Sequence, residues 1–154
     1  MGDTLFHAQR YAEAADRLER AVPLLADSDP STASVLHVFL ARIEQDQGRL
    51  EAAEKQYEQA LAMNPRNPEA LRRLISLRYE QQRHEETLDL FRTLIDVEPD
   101  NTEVHVNMGV VLHQLGQTEE ALRSLDQALS LEPNLKKART TREQVLQSLH
   151  ENEP

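Results

Sequence analysis

Histidine is the residue type in this chain best suited to chemistry, and there are six: His7, His37, His84, His105, His113 and His150. Two imidazoles three to five residues apart on a helix could hold a metal ion. No two of these six have that spacing. Paired carboxylates at Glu85–Glu86 and Glu119–Glu120 could do acid–base work. Each pair opens a helical stretch, however, where negative charge suits the positive end of the helix dipole. There is no cysteine, so thiolate nucleophiles, thiolate metal sites and disulfides are excluded. No G-x-S-x-G, P-loop, H-E-x-x-H or G-x-G-x-x-G motif occurs. Nucleophile, base and oxyanion donors do not assemble into a set. The residues point to a protein that is not an enzyme and uses no cofactor or metal.

Cationic side chains remain: Arg42, Arg72 and Arg73, then Lys136, Lys137, Arg139 and Arg142. Guanidinium groups grip carboxylates at two points, whereas lysine acts as a point charge. These groups stand out in a chain whose net charge is −10. That balance argues against a general nucleic-acid binder, which needs a basic face. Aromatic residues make up 4%, with no Trp, leaving little for base stacking. At 154 residues the chain is about one domain long, and its 39% apolar content suits a thin, elongated fold. The N-terminal stretch has no apolar run of signal-peptide length. No segment approaches the ~20 apolar residues of a membrane span. The default expectation is a soluble, cytoplasmic protein, or a periplasmic one if the chain belongs to a longer exported protein. Arg outnumbers Lys by 14 to 3, which suggests a GC-rich bacterium.

The elements that must position these groups recur with a fixed period. Pro65, Pro99 and Pro133 are spaced by 34 residues, and Gly48 and Gly116 lie two such periods apart. Ahead of each proline lies an apolar stripe with helical spacing. The stripes are Ala53, Tyr57, Ala60, Leu61; Thr87, Phe91, Leu94, Ile95; and Ala121, Leu125, Ala128, Leu129. A second stripe precedes each: Leu36, Leu40, Ile43; Leu71, Leu74, Ile75; and Val104, Met108, Val111, Leu112. Each unit is therefore two amphipathic helices, and the period signals a repeat array. Ala53, Ala60, Gly109, Ala121 and Ala128 let helix backbones approach closely. Gly48 and Gly116 suit turns that need positive φ. Asn67 before Pro68, and Asn101 before Thr102 and Glu103, read as helix starts. Thr118 before Glu119 and Glu120 reads as a third cap.

This pattern resembles the tetratricopeptide repeat family, whose signature is W-x2-L-G-x2-Y, then A-x3-F, then P. The second half matches in Ala53-x3-Tyr57 with Pro65, Thr87-x3-Phe91 with Pro99, and Ala121-x3-Leu125 with Pro133. The first half is looser: the Trp slot holds His37, Leu71 and His105. His37 and His105 then have a packing role. The resemblance implies an all-α solenoid of antiparallel helix pairs, a right-handed superhelix. It would form a single domain over 1–154, with full repeats at 34–67, 68–101 and 102–135. Residues 1–28 form a partial repeat whose Tyr11, Ala14, Leu18, Ala21, Val22 and Leu24 fit a second helix. Its first helix would fall mostly before Met1, with only Gly2, Leu5 and Phe6 in its slots. Pro23 should fray or kink that helix. Residues 136–150 read as a capping helix with a polar outer side.

In this family the first helix of each pair lines the concave side. The spacing of three and four then puts Val35, Val38, Arg42 and Gln45 toward the groove. The same offset gives Glu69, Arg72, Ser76 and Tyr79, then Glu103, Val106, Val110 and His113. Arg73 and Asn107 fall at its edge. Valines that packing does not use are candidate peptide contacts. Some repeats of the family clamp a peptide's C-terminal carboxylate. Laid on units starting at 68, 102 and 136, the clamp slots hold Arg72, Ser76, Asn107, Lys137 and Thr141. Asn107 and Lys137 match the family, Arg72 keeps the charge, and the other two depart. The resemblance thus implies an adaptor that binds another protein or peptide in the groove, one with an acidic or C-terminal carboxylate feature. Two alternatives stand beside it. One is a scaffold that self-assembles through Leu5, Phe6 and Tyr11 of the first unit. The other is a regulatory piece of a longer repeat protein.

Overall fold

A computed structural model describes the backbone of residues 2–151 and the side chains of residues 10–149 and 151. Expectations about Leu5, Phe6, His7 and His150 rest on side chains outside that range. Among the described residues there are eight helices and no strand. They are α1 (Gly2–Leu25), α2 (Pro30–Asp46), α3 (Leu50–Met63), α4 (Pro68–Glu80), α5 (His84–Val97), α6 (Thr102–Gln114), α7 (Thr118–Leu131) and α8 (Lys136–Glu151). The chain divides into two compact units, Met1–Leu77 and Arg78–Pro154.

Local chemistry sets the helix ends. Asn67 Oδ1 accepts hydrogen bonds from the amides of Glu69 and Ala70, both at 3.1 Å, so it caps α4 ahead of Pro68. Asn101 caps α6 by accepting from the Val104 amide. Asp29 caps α2 through Thr32, a cap that the sequence reading did not single out. The Thr32 bonds hold the Asp29 carboxyl below its ordinary range. The expected cap at Thr118 is corrected. Gln117 occupies the cap position without a side-chain bond, and Thr118 is already helical. Gly48 and Gly116 end their turns at φ 74° and 73°. The slot between them holds Gln82, at φ 59°. The turn needs the left-handed conformation whichever residue fills it.

Pro23 was expected to fray or kink its helix. Helix α1 runs through Pro23 to Leu25, and the Ala26 amide still bonds the Val22 carbonyl at 3.0 Å. Proline removes only the bond to the Glu19 carbonyl, and both residues are exposed, so water can replace it. Residues Gly2 to Leu25 form one continuous helix, without a turn between two partial helices.

In the first unit α2 packs against both α1 and α3. Ala33, Leu40, Ala41, Ile43, Ala53, Tyr57, Ala60, Leu71 and Leu74 form its core. Buried polar groups are satisfied inside it. Ser34 Oγ donates to the Ala60 carbonyl at 2.7 Å and accepts from Asn67 Nδ2 at 2.8 Å. Tyr57 is fully buried, and its hydroxyl donates to Gln45 Oε1 at 3.0 Å. In the second unit Leu88, Phe91, Leu94, Val111, Leu112, Leu125, Ala138 and Val145 are buried. There α6 packs against α5, α7 and α8. Burial of each such leucine contributes about 1.5–3 kcal/mol. Gly109 lets α6 meet α7, since a Cβ there would lie 2.8 Å from Leu125 Cγ. Both histidines of the Trp slot are buried and bonded. His37 Nδ1 lies 2.7 Å from Gln56 Oε1, and His105 Nε2 lies 2.8 Å from the Pro99 carbonyl.

Candidate functional site

The buried residues of α2 are Ala33, Ser34, His37, Val38, Leu40, Ala41 and Ile43. At about 100° per residue they span more than half the helix circumference. Two neighbouring helices cover α2, so a single narrow apolar face does not describe it. The arc left open carries Val35, Phe39, Arg42 and Asp46, with steps of 4, 3 and 4. Helix α6 is open along Glu103, Asn107, Val110 and Gln114, which occupy the same slots 68 residues on. The intervening slots on α4 hold Glu69, Arg73, Ser76 and Glu80, all exposed or half-buried. On α8 they hold Lys137, Thr141, Gln144 and Ser148.

This geometry corrects two expected contact residues. Val38 is 6% exposed and Val106 is 1% exposed, so both belong to the core. Each lies on a helix that packs against more than one neighbour, α2 or α6. The open slot is the next one, occupied by Phe39 and Asn107. Phe39, 46% exposed, was missed. Its equivalents Arg73, Asn107 and Thr141 are all polar, and that was the available signal.

Gln45 is half-buried and is engaged by the Tyr57 hydroxyl. Tyr11, expected to be unpaired, is half-buried, and its hydroxyl donates to Asp46 Oδ2 at 3.3 Å.

In the first unit Arg42, Arg72, Arg73 and Ser76 are exposed. Arg73 donates to Glu69 Oε1 at 2.8 Å, and that bond holds its guanidinium still more firmly protonated. Arg72 lies 4.0 Å from the same carboxylate. Arg42 makes no ion pair among the described residues and lies one helical turn from Phe39. Burial pushes the Tyr57 phenol up, with Arg73 and Arg42 pulling the other way.

In the second unit Lys137 Nζ donates to Asn107 Oδ1 at 2.8 Å. These are the two clamp residues that match the family, and they meet across α8 and α6. Val110 beside them is half-buried. Tyr79 is 38% exposed, and its hydroxyl accepts from Gln114 Nε2 at 3.2 Å. His113 is half-buried, and its Nδ1 has no hydrogen-bond partner among the described residues. Arg72 and Ser76 lie in the first unit, whereas Asn107, Lys137 and Thr141 lie in the second. Among the described residues no three His, Asp or Glu side chains are grouped to hold a metal ion. No described helix is long and apolar enough to cross a membrane.

Comparison with known proteins agrees with this architecture. Three family models, each described as tetratricopeptide repeat, match residues 1–66, 40–96 and 78–145. The chain is 28% identical over 131 residues to the type IV pilus assembly protein PilF of Pseudomonas aeruginosa. That match takes in 80% of the chain and 50% of PilF, so the chain spans about half the length of this relative. A tetratricopeptide repeat protein from Parabacteroides merdae superposes with a TM-score of 0.77 at 23% identity, over 97% of this chain and 57% of that one. The crystal structure of MamA gives 0.70 at 16% identity, over 97% and 85%. The first repeat domain of Spaghetti (RPAP3), bound to the HSP90 peptide SRMEEVD, gives 0.68 at 19% identity, over 78% and 95%. With its 34-residue period, its paired helices and family models spanning residues 1–145, the chain belongs to the tetratricopeptide repeat family.

Proposed function

We propose that the chain is a non-catalytic interaction module that binds segments of a partner protein along the open arcs of α2 and α4 in the first unit and, separately, of α6 and α8 in the second. One observation carries this reading. The same 4-3-4 stripe is exposed or half-buried on each of these helices, and it mixes charge with apolar surface. The RPAP3 domain, solved with a peptide of HSP90, and the assembly role in the name of PilF support it. A backbone already ordered as helix adds no folding cost when a segment docks. Two or three charged hydrogen bonds at about 1.5–3 kcal/mol each, with modest apolar burial, suit micromolar affinity.

Selection of a phage-displayed random dodecapeptide library on the immobilised chain tests the reading. Enriched peptides should perturb backbone amide resonances along these four stripes. Perturbation confined to α3, α5 and α7 would overturn it.

The Lys137–Asn107 bond favours a second, finer reading, in which this pair receives a carboxylate in the second unit. A C-terminal carboxylate should then bind better than its amide, and Lys137→Ala should abolish that preference. Equal binding of acid and amide excludes the pair as a carboxylate site.

A further inference from the structure

Within the first unit, the open arc of α2 is chemically unlike its counterpart on α6. Val35 and Phe39 are 44% and 46% exposed, one turn apart, and Arg42 follows three residues on. On α6 the equivalent slots hold Glu103, Asn107 and Val110. The backbone geometry therefore tolerates polar residues where α2 places an exposed valine and an exposed phenylalanine. Solvent exposure gives no reason for an aromatic ring there, and the core does not use it. Asp46, at the far end of the stripe, is engaged by Tyr11. Arg42 makes no ion pair among the described residues, in a chain of net charge −10. Arg72 and Arg73 lie on α4 of the same unit, and each is near Glu69.

Resting on the interaction-module reading above, we infer that this α2 face docks an acidic segment of another protein. An apolar side chain of that segment covers Val35 and Phe39, and a carboxylate nearby pairs with Arg42. The spacing sets the chemistry of the guest. Side chains three apart on a helix lie about 5–6 Å from one another. A guest presents an apolar group and a carboxylate at that separation in two ways. They stand two residues apart on one face of an extended strand, or three to four apart on a helix. Charge complementarity selects the acidic guest. An exposed arginine without an ion pair repels a basic side chain docked beside it and attracts a carboxylate.

The random dodecapeptide library is again the probe, selected on the intact chain and on its Phe39→Ser and Arg42→Gln variants. Both positions are exposed, and circular dichroism checks that each variant stays folded. Enriched peptides should carry Asp or Glu two to four residues from a large apolar residue. Each variant should weaken them about tenfold. Peptides with no acidic bias overturn the inference. So do peptides that both variants bind unchanged while Lys137→Ala loses them, an outcome that leaves the broader reading standing. Failure to enrich any peptide overturns both. A concentration-dependent dimer abolished by Phe39→Ser would give the face to a second copy of the chain and overturn the inference too.

Discussion

Asn67 Nδ2 donates a 2.8 Å hydrogen bond to Ser34 Oγ, joining the cap of α4 to the first turns of α2. Ser34 passes the connection on to the Ala60 carbonyl near the end of α3. Three helices of the first unit are thus tied by two buried bonds, and Asn67 at the same time caps α4. Ser34→Ala would leave a buried amide donor and a buried carbonyl without that partner. The expected loss is about 1–3 kcal/mol. Asn67→Asp, which keeps the cap oxygen but removes the donor, should lose less than Asn67→Ala. Urea denaturation of the three variants checks the order.

Gln82 stands 34 residues after Gly48 and 34 before Gly116, with the same sign of φ. A side chain in the left-handed region costs about 1–2 kcal/mol. Glycine there regains most of that and gives back roughly 0.5–1 kcal/mol in unfolded-state entropy. Gln82→Gly should raise stability by about 0.5–1 kcal/mol. Gly48→Ala and Gly116→Ala should lower it, although a Cβ at either site meets no atom within 4 Å. A midpoint for Gln82→Gly at or below that of the parent chain would refute the strain argument.

Gly109→Ala sets two effects against each other. Alanine gains about 1 kcal/mol of helix propensity. Its Cβ would press on Leu125 Cγ at 2.8 Å and on the Ala121 carbonyl oxygen at 3.2 Å. Leu125 is fully buried and the carbonyl belongs to the backbone, so neither can simply swing away. Overpacking of about 1–3 kcal/mol wins, and the variant should be less stable. In a Leu125→Ala background the penalty should shrink or reverse. Thermal denaturation of the double-mutant cycle measures that coupling.

Tyr57 gives the first unit an alkaline limit. Burial raises its phenol above the ordinary value of about 10. The folded state therefore holds the proton more tightly than the unfolded chain does. The stabilisation is complete below the unfolded value and declines as pH rises through the folded one. Stability should fall above about pH 10, and Tyr57→Phe should flatten that fall. At neutral pH the same variant loses the bond to Gln45, about 0.5–1.5 kcal/mol. Parallel slopes for the two proteins between pH 9 and 11 would contradict this account.

Most of the fold was legible because it is written locally. Asn67, Gly48 and Gly116 sit where caps and turns require them, and Ala53, Ala60 and Ala128 sit where backbones meet. The candidate surface was legible only in part. Arg42, Arg72, Arg73, Ser76, Tyr79 and Lys137 are exposed, and Asn107, Val110 and His113 are half-buried. Val38 and Val106 are buried, and Phe39 went unnoticed because an aromatic in an apolar stripe reads as core. The spacing rule chose a stripe at 35, 38, 42 and 45, whereas packing leaves 35, 39, 42 and 46 open.

Taken alone, the sequence determined the 34-residue period, the paired amphipathic helices, their capped ends and hence the family. All of these follow from propensity and periodicity within a few turns of chain. Only the tertiary structure decided which arc of α2 and of α6 faces solvent. Each of the two packs against more than one neighbour, and a contact supplied by another helix leaves no periodic mark of its own. That is why a shift of one residue round the helix moved Val38 inside and brought Phe39 out beside Arg42.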